Sequence, residues 1–211
     1  MKAALFDLDG VILDTEAQYS KFWGSQCHLY FPERQGLENI IKGQTLTQIF
    51  STLFAEMQDQ QPVIKQRLDA FEQQMQYNYI PGVPAFIADL KRQGVLTAIV
   101  TSSNDAKMAN VYRAHPELRQ RFDQIVTAEH CTRSKPDPEC YLKGAQLLGV
   151  EPNDCVGFED SINGLKAVRN ADMKVVGLAT TNPRDIIAPL ADIVIDNFQA
   201  LTVTQLTDAG F

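Results

Sequence analysis

The chain has 211 residues, 45% hydrophobic and 21% charged, enough to bury a core in one large domain or in a domain carrying an insertion. Its 19 Lys and Arg against 26 Asp and Glu leave a formal charge of −7. That balance argues against nonspecific nucleic-acid binding, and it requires that an anionic substrate be drawn by local positive charge, from a metal or a few lysines.

The first element is an apolar strand, Ala3-Ala4-Leu5-Phe6, that runs directly into Asp7-Leu8-Asp9-Gly10. Side chains alternate along a strand, so Asp7 and Asp9 leave its end pointing the same way. Two carboxylates so placed repel unless a positive charge joins them, and a hard cation such as Mg²⁺ is the natural partner. Gly10 lets the backbone turn sharply just beyond.

Residues 16–80 have a different texture. They are rich in Gln and Glu and carry apolar residues at helical spacing: Phe50, Leu53, Phe54 and Met57, then Val63, Leu68, Phe71 and Met75. The stretch is longer than a single crossover needs, and it reads as a small all-helical insert. Thr15-Glu16 and Pro81-Gly82 are its outgoing and return hinges.

From residue 81 short strands alternate with amphipathic helices. The strands are expected at 95–100, 124–126, 155–158, 174–178 and 192–195, and the helices at 83–92, 106–114, 139–148 and 162–170. Gly94, Gly149 and Pro81-Gly82 are the stop and turn signals. Such alternation predicts an α/β fold: a Rossmann-like parallel sheet with helices on both faces. The expected organisation is a core of residues 1–15 and 81–211 with residues 16–80 inserted as a helical domain.

Three further motifs follow strands of this core. In Ile99-Val100-Thr101-Ser102-Ser103-Asn104 a strand ends in hydroxyl residues before a helix, which suits phosphate oxygens; the plainer reading is that Ser103 or Asn104 caps the helix. In Arg133-Ser134-Lys135-Pro136-Asp137-Pro138-Glu139 the two prolines stiffen a loop around Lys135, and Asp137-Pro138 reads as an N-cap and first-turn pair. In Val156-Gly157-Phe158-Glu159-Asp160-Ser161 a strand ends in paired carboxylates. An acidic pair is comfortable at a helix N-terminus, and it also supplies hard oxygen ligands beyond Asp7. In a parallel sheet all these strand ends share one edge.

Cys27, Cys131, Cys140 and Cys155 show no Cys-x-x-Cys spacing and read as free thiols in a reducing compartment; His28, His115 and His130 have no zinc-site spacing. Neither a signal segment nor a long uncharged apolar run is visible, so a cytoplasmic protein without a membrane partner is expected.

The four motifs, in this order, resemble those of the haloacid-dehalogenase-like superfamily of aspartate-nucleophile phosphohydrolases. Val11-Ile12-Leu13-Asp14-Thr15 is similar to the subgroup of β-phosphoglucomutase and small sugar-phosphate phosphatases. The resemblance implies a helical cap at residues 16–80 and Mg²⁺ as cofactor. It implies Asp7 as nucleophile and metal ligand, and Asp9 as acid–base residue and ligand through its backbone carbonyl. Thr101 and Ser102 would bind the phosphoryl group, Lys135 would neutralise it, and Glu159 and Asp160 would complete the metal site. A small phosphorylated metabolite is the implied substrate, and a monomer the implied state.

Asp9 and the Glu159-Asp160 pair set the chain apart from the metal-free dehalogenases, and members that bind without turnover usually lose residues that are all kept here. The mutase has a histidine where this chain has Tyr19, and an arginine shortly after a Lys-Gly pair, where Lys42-Gly43-Gln44-Thr45 leads to Leu46. Both departures favour a phosphatase, with a β-phosphoglucomutase-type mutase as the alternative. Lys42 and Gln44 are candidates to touch the substrate, or else solvated helix ends.

Overall fold

A computed structural model describes residues 1–42 and 44–211; Gly43, part of the Lys-Gly pair noted above, lies outside the described residues. The chain enters through β1 (Ala3–Phe6), whose four residues are all buried. Such a strand must be covered on both faces, and its alternating side chains serve two separate cores. Ala4 and Phe6 join one apolar cluster, with Ile99, Phe158 and Val176. Ala3 and Leu5 join the other, with Ala98, Val100 and Val175.

Beyond β1 come α1 (Glu16–Tyr30), the short α2 (Leu37–Ile40), α3 (Leu46–Thr52) and α4 (Gln61–Gln74). They bury a third apolar cluster built from Phe22, Trp23, Ile41, Ile49, Phe54, Ile64 and Leu68. The expected apolar stripe is partly displaced. Leu53, Phe54 and Met57 lie in the turns after α3, and on α4 it is Ile64 that is fully buried while Val63 is exposed. Phe54 reaches the cluster from a turn because four rings, Trp23, Tyr30, Phe31 and Phe50, close around it.

The chain then alternates: α5 (Val83–Arg92), β2 (Leu96–Val100), α6 (Asp105–Ala114), the short α7 (Leu118–Arg121), β3 (Gln124–Val126), α8 (Glu139–Leu148), β4 (Cys155–Glu159), α9 (Ile162–Asn170), β5 (Lys174–Leu178) and β6 (Ile193–Ile195). The six strands form one parallel sheet in the order β3-β2-β1-β4-β5-β6. Helices α5 and α6 pack on the Phe6 side through Phe86, Leu90 and Val111, and α8 and α9 on the Leu5 side through Tyr141, Ala145 and Leu165. The α/β reading of the sequence therefore holds, and α5, α8 and α9 have the bounds expected of them.

Several bounds shift by one residue, with β2 starting at Leu96, α6 at Asp105 and β4 running to Glu159, and two further local details differ from expectation. Helix α8 starts at Glu139 with Pro138 in the cap position, yet Asp137 still accepts the Glu139 N–H at 3.0 Å, from one residue further out. The expected strand at 192–195 begins at Ile193; Asp192 just before it keeps its N–H on the Val175 carbonyl at 2.8 Å and turns its carboxylate to the Val175 N–H and to Arg169. Among the described residues all four cysteines are free thiols, and no helix is long and apolar enough to cross a membrane.

The strand order reverses between β1 and β4, since the chain runs outward through β2 and β3 and then returns to β1's other side. Such a reversal opens a crevice beyond the carboxyl ends of the two strands. Phe6 is registered against Phe158, so Asp7 and Glu159 leave the sheet side by side.

Because Phe54 is fully buried among four rings, Phe54→Ala is expected to lower unfolding free energy by about 3–5 kcal/mol, measured by urea denaturation. A loss well under 1 kcal/mol would mean that the helical cluster contributes little to the fold.

Candidate active site

Lys135 sits at the centre of the crevice, buried to within a few per cent. Its ammonium donates to Asp7 Oδ1 (2.7 Å), Glu159 Oε1 (2.6 Å) and the Val100 carbonyl (3.0 Å). An ammonium has three protons, and here all three are committed. Burial alone would strip the charge from this lysine, but Asp7 and Glu159 outweigh it and its pKa is raised. Tyr141 donates to the same Glu159 oxygen at 2.9 Å. The other Glu159 oxygen takes the backbone N–H groups of Asp160 and Ser161 and the Ser161 hydroxyl, so this fully buried carboxylate is held from all sides. A Cβ at Gly164 would strike it, so the first turn of α9 needs glycine there.

One lysine does not balance the acids around it. Asp7, Glu159 and Asp160 each place an oxygen so that all three lie within 4.8 Å of one another. Burial pushes the Asp7 carboxyl up to about 7, opposed by Lys135 and helped by Glu159 and Asp9. Burial, followed by Glu16, Glu159 and Asp7, pushes Asp160 well above the carboxylate range. Buried anions crowded like this are relieved by a cation, and an all-oxygen donor set suits Mg²⁺. The residues present therefore fit the metal that the sequence implied. Gly10, at φ +74°, belongs to the same arrangement: a side chain there would run into the Asp160 carboxylate.

Asp9 leads a different life from Asp7. Its side chain is outside the three-carboxylate group and accepts hydrogen bonds from the Thr15 hydroxyl (2.5 Å), the Ser103 hydroxyl (3.0 Å) and the Lys107 ammonium. Burial alone would raise its pKa, but Lys107 and the two hydroxyls reverse the sign and hold it below the usual range. Thr15, read from sequence as a hinge marker, thus touches the site directly. The segment it opens is tied to the return segment by Asp14 N–H to the Asn78 carbonyl (2.8 Å) and Ile80 N–H to the Ile12 carbonyl (2.9 Å).

Thr101 is buried at the end of β2, where its hydroxyl accepts the Ser103 N–H at 3.0 Å. Asn104, as the plainer reading had it, caps α6 by accepting the Lys107 N–H at 2.9 Å. A single pocket is lined by Asp7, Asp9, Thr101, Ser102, Lys135 and Asp160 from the sheet edge, and by Glu16, Tyr19, Trp23, Glu38, Lys42 and Gln44 from the helical segment. The sequence-derived site residues are therefore brought together, with Glu159 behind Lys135. Lys42 and Gln44 both face this pocket.

Sequence reasoning missed Lys107, Glu16 and Tyr141 as site residues, and it offered Ser103 as a helix cap where the structure has it donating to Asp9. Lys107 had one usable signal: it shares the buried face of α6 with Met108 and Val111, where a lysine is out of place unless paired. Glu16 faces the pocket, and burial, followed by Asp9, pushes its carboxyl up to about 7.

A family model described as haloacid dehalogenase-like hydrolase matches residues 4–178. Hexitol phosphatase B of Escherichia coli K12 is 28% identical, over 97% of this chain and 96% of that protein. β-Phosphoglucomutase of Bacillus subtilis 168 is 27% identical, over 98% of this chain and 94% of its own length. The crystal structure of β-phosphoglucomutase from Clostridium difficile has a TM-score of 0.80 at 24% identity, covering 99% of this chain and 96% of that one, a likeness of fold.

The raised carboxyls give a pH-dependent prediction. A carboxyl protonated in the folded state but ionised in the unfolded chain costs stability as pH rises from its ordinary value toward its raised one. For Asp7 that window runs from 3.8 to about 7, and Asp160, also raised, acts in the same direction. Asp9 acts oppositely: its contribution is present above its ordinary value and is lost on acidification through its lowered one. Since a cation needs ionised ligands, millimolar Mg²⁺ should raise the melting temperature more at about pH 8 than at about pH 5. Equal increments at the two pH values would place the cation elsewhere.

Proposed function

Because the chain belongs to the haloacid dehalogenase-like hydrolase family, we propose that it is a Mg²⁺-dependent phosphatase of small phosphate monoesters, sugar phosphates or similar metabolites. The observation that carries this reading is the Lys135-centred group of Asp7, Glu159 and Asp160 at the β1–β4 crevice, with Asp9 held apart from it two residues on. Two neighbouring carboxylates in such different surroundings suit two different tasks. In this proposal residues 1–15 and 81–211 form the catalytic core and residues 16–80 a helical cap over the pocket. The protein acts as a cytoplasmic monomer, with neither nucleic acid nor membrane as partner.

Asp7 attacks phosphorus in line, forming an aspartyl-phosphate as the bond to the leaving oxygen breaks. Asp9, ionised while paired to Lys107 in the empty pocket, takes up a proton as the substrate binds and gives it to that oxygen; it then takes one from the water that attacks the intermediate, releasing inorganic phosphate and restoring Asp7. Lys135, Thr101 and Ser102 bind the phosphoryl oxygens. Asp7, the Asp9 backbone carbonyl, Glu159 and Asp160 would hold Mg²⁺, which would supply positive charge to those oxygens and favour the ionised form of Asp7. Uncatalysed monoester hydrolysis is slow enough that enzymes accelerate it by up to ~21 orders of magnitude, most of it through positioning and electrostatics.

Hydrolysis is favoured over isomerisation by two cap residues. The Tyr19 hydroxyl is spent on Glu72, at 2.8 Å, and Leu46, packed against the helical cluster, has no charge with which to grip a second phosphate. Similarity to a β-phosphoglucomutase keeps the mutase as the second reading.

With Mg²⁺ and a panel of sugar and nucleotide monophosphates, the purified protein should release inorganic phosphate, and Asp7→Asn should reduce the rate by at least about 10³-fold. Turnover that survives either chelation or Asp7→Asn would falsify the mechanism. Conversion of β-glucose 1-phosphate to glucose 6-phosphate with little free phosphate would select the mutase.

A further inference from the structure

Lys107 has no role in the mechanism above, yet it is one of the most deeply buried cations in the protein. Its side chain is 5% exposed. The stem leaves the buried face of α6, beside Met108 and Val111, and the ammonium pairs with Asp9 Oδ2. On its other side the ammonium lies 4.5 Å from the centroid of the Tyr19 ring. That ring is itself fixed, because its hydroxyl donates to Glu72 at 2.8 Å and its edge packs on Phe71. The lysine is therefore clamped between an aromatic face and a carboxylate, an arrangement that favours a desolvated cation.

The Asp9 carboxylate has three donors from three parts of the chain: Thr15 on Oδ1, and Ser103 and Lys107 on Oδ2. Thr15 and Ser103 give neutral hydrogen bonds. The Lys107 bond is charge-assisted, of the kind roughly twice as strong, so it dominates the direction in which the carboxylate faces. An acid–base group acts only when its oxygen lies within hydrogen-bond reach of the proton it moves.

Resting on the phosphatase reading, we propose that Lys107 is a positioning residue for the reaction. Clamped beneath Tyr19, it holds the Asp9 carboxylate in the orientation from which Asp9 exchanges its proton with the leaving oxygen. Lys107 acts through Asp9 and does not bind the phosphoryl group, for which Lys135, Thr101 and Ser102 stand at the ends of the strands.

The two possible roles of a pocket lysine separate by leaving group. A sugar alkoxide needs a proton to depart, whereas p-nitrophenolate does not. Lys107→Met should lower kcat/KM for a sugar monophosphate by about 10²-fold, within the range of general acid–base catalysis, and for p-nitrophenyl phosphate by less than about threefold. Lys107→Arg, which keeps the charge, should recover most of the sugar-phosphate activity. Inhibition by inorganic phosphate should be unchanged in both variants. Equal losses on the two esters, or phosphate inhibition weakened in step with kcat/KM, would overturn the proposal and make Lys107 a phosphate ligand. If the methionine variant does not fold, Tyr19→Leu takes its place: removing the clamp but keeping the lysine should again cost more on the sugar phosphate, and an equal or absent loss overturns the proposal. Wild-type hydrolysis of both esters, abolished in Asp7→Asn, tests the parent reading separately.

Discussion

The buried ammonium of Lys135 is the contact on which the rest of the site depends. It joins the ends of β1 and β4 through Asp7 and Glu159, and β2 through the Val100 carbonyl. These are adjacent parallel strands, and parallel strands bring their carboxyl ends, with whatever charges follow, to one edge. Here that edge would collect three buried carboxylates and no counter-charge. A lysine on a proline-flanked loop supplies the first positive charge, and the remaining imbalance defines the place for a second. Tyr141 and the start of α9 in turn anchor Glu159, the second carboxylate that holds Lys135. The fold and the site are stabilised by the same few bonds.

Electrostatics also explains how a chain of net charge −7 can take an anionic substrate. Most of its exposed ion pairs lie far from the crevice and contribute little. Within the pocket, Lys135 and Lys107 are spoken for by Asp7, Glu159 and Asp9. Attraction for a phosphoryl group, beyond the hydrogen bonds that Lys135 can turn to it, would then come from a bound cation and from N–H and hydroxyl donors at the end of β2. On the helical side the same pocket sets the carboxyls of Glu16, Glu38 and Glu72 beside a single cation among the described residues, Lys42.

The core was legible because each element is punctuated locally. Gly149 ends α8 in a left-handed conformation, Gly82 opens α5 likewise, and the strands are short apolar runs between such signals. The site motifs were legible because they sit at strand ends, where the topology converges. The helical segment was less so. Its burial is decided by packing between short helices, so Phe54 enters the cluster from a turn and Ile64 replaces Val63 on α4. The charge pairing was least legible of all. Nothing within ten residues of Lys107 announces Asp9, and nothing near Lys135 announces Glu159; these pairs exist only once β1, β2 and β4 lie side by side.

The same geometry accounts for why the helical segment leaves the core where it does. Between Asp9 and Thr15 the chain makes a tight excursion, closed by Gly10 N–H to the Leu13 carbonyl at 2.8 Å and zipped to the return segment at Asn78 and Ile80. The residue that starts the excursion carries the carboxylate proposed as the acid–base group, and the residue that ends it donates to that carboxylate. Helix α1 begins at the next position and carries Tyr19 over Lys107, the carboxylate's other partner. An insertion elsewhere on the sheet edge would leave Lys107 and the Asp9 carboxylate without the Tyr19 ring over them. Placed here, the helices that line the far side of the pocket also complete the surroundings of the carboxylate that hands over a proton in the proposed mechanism.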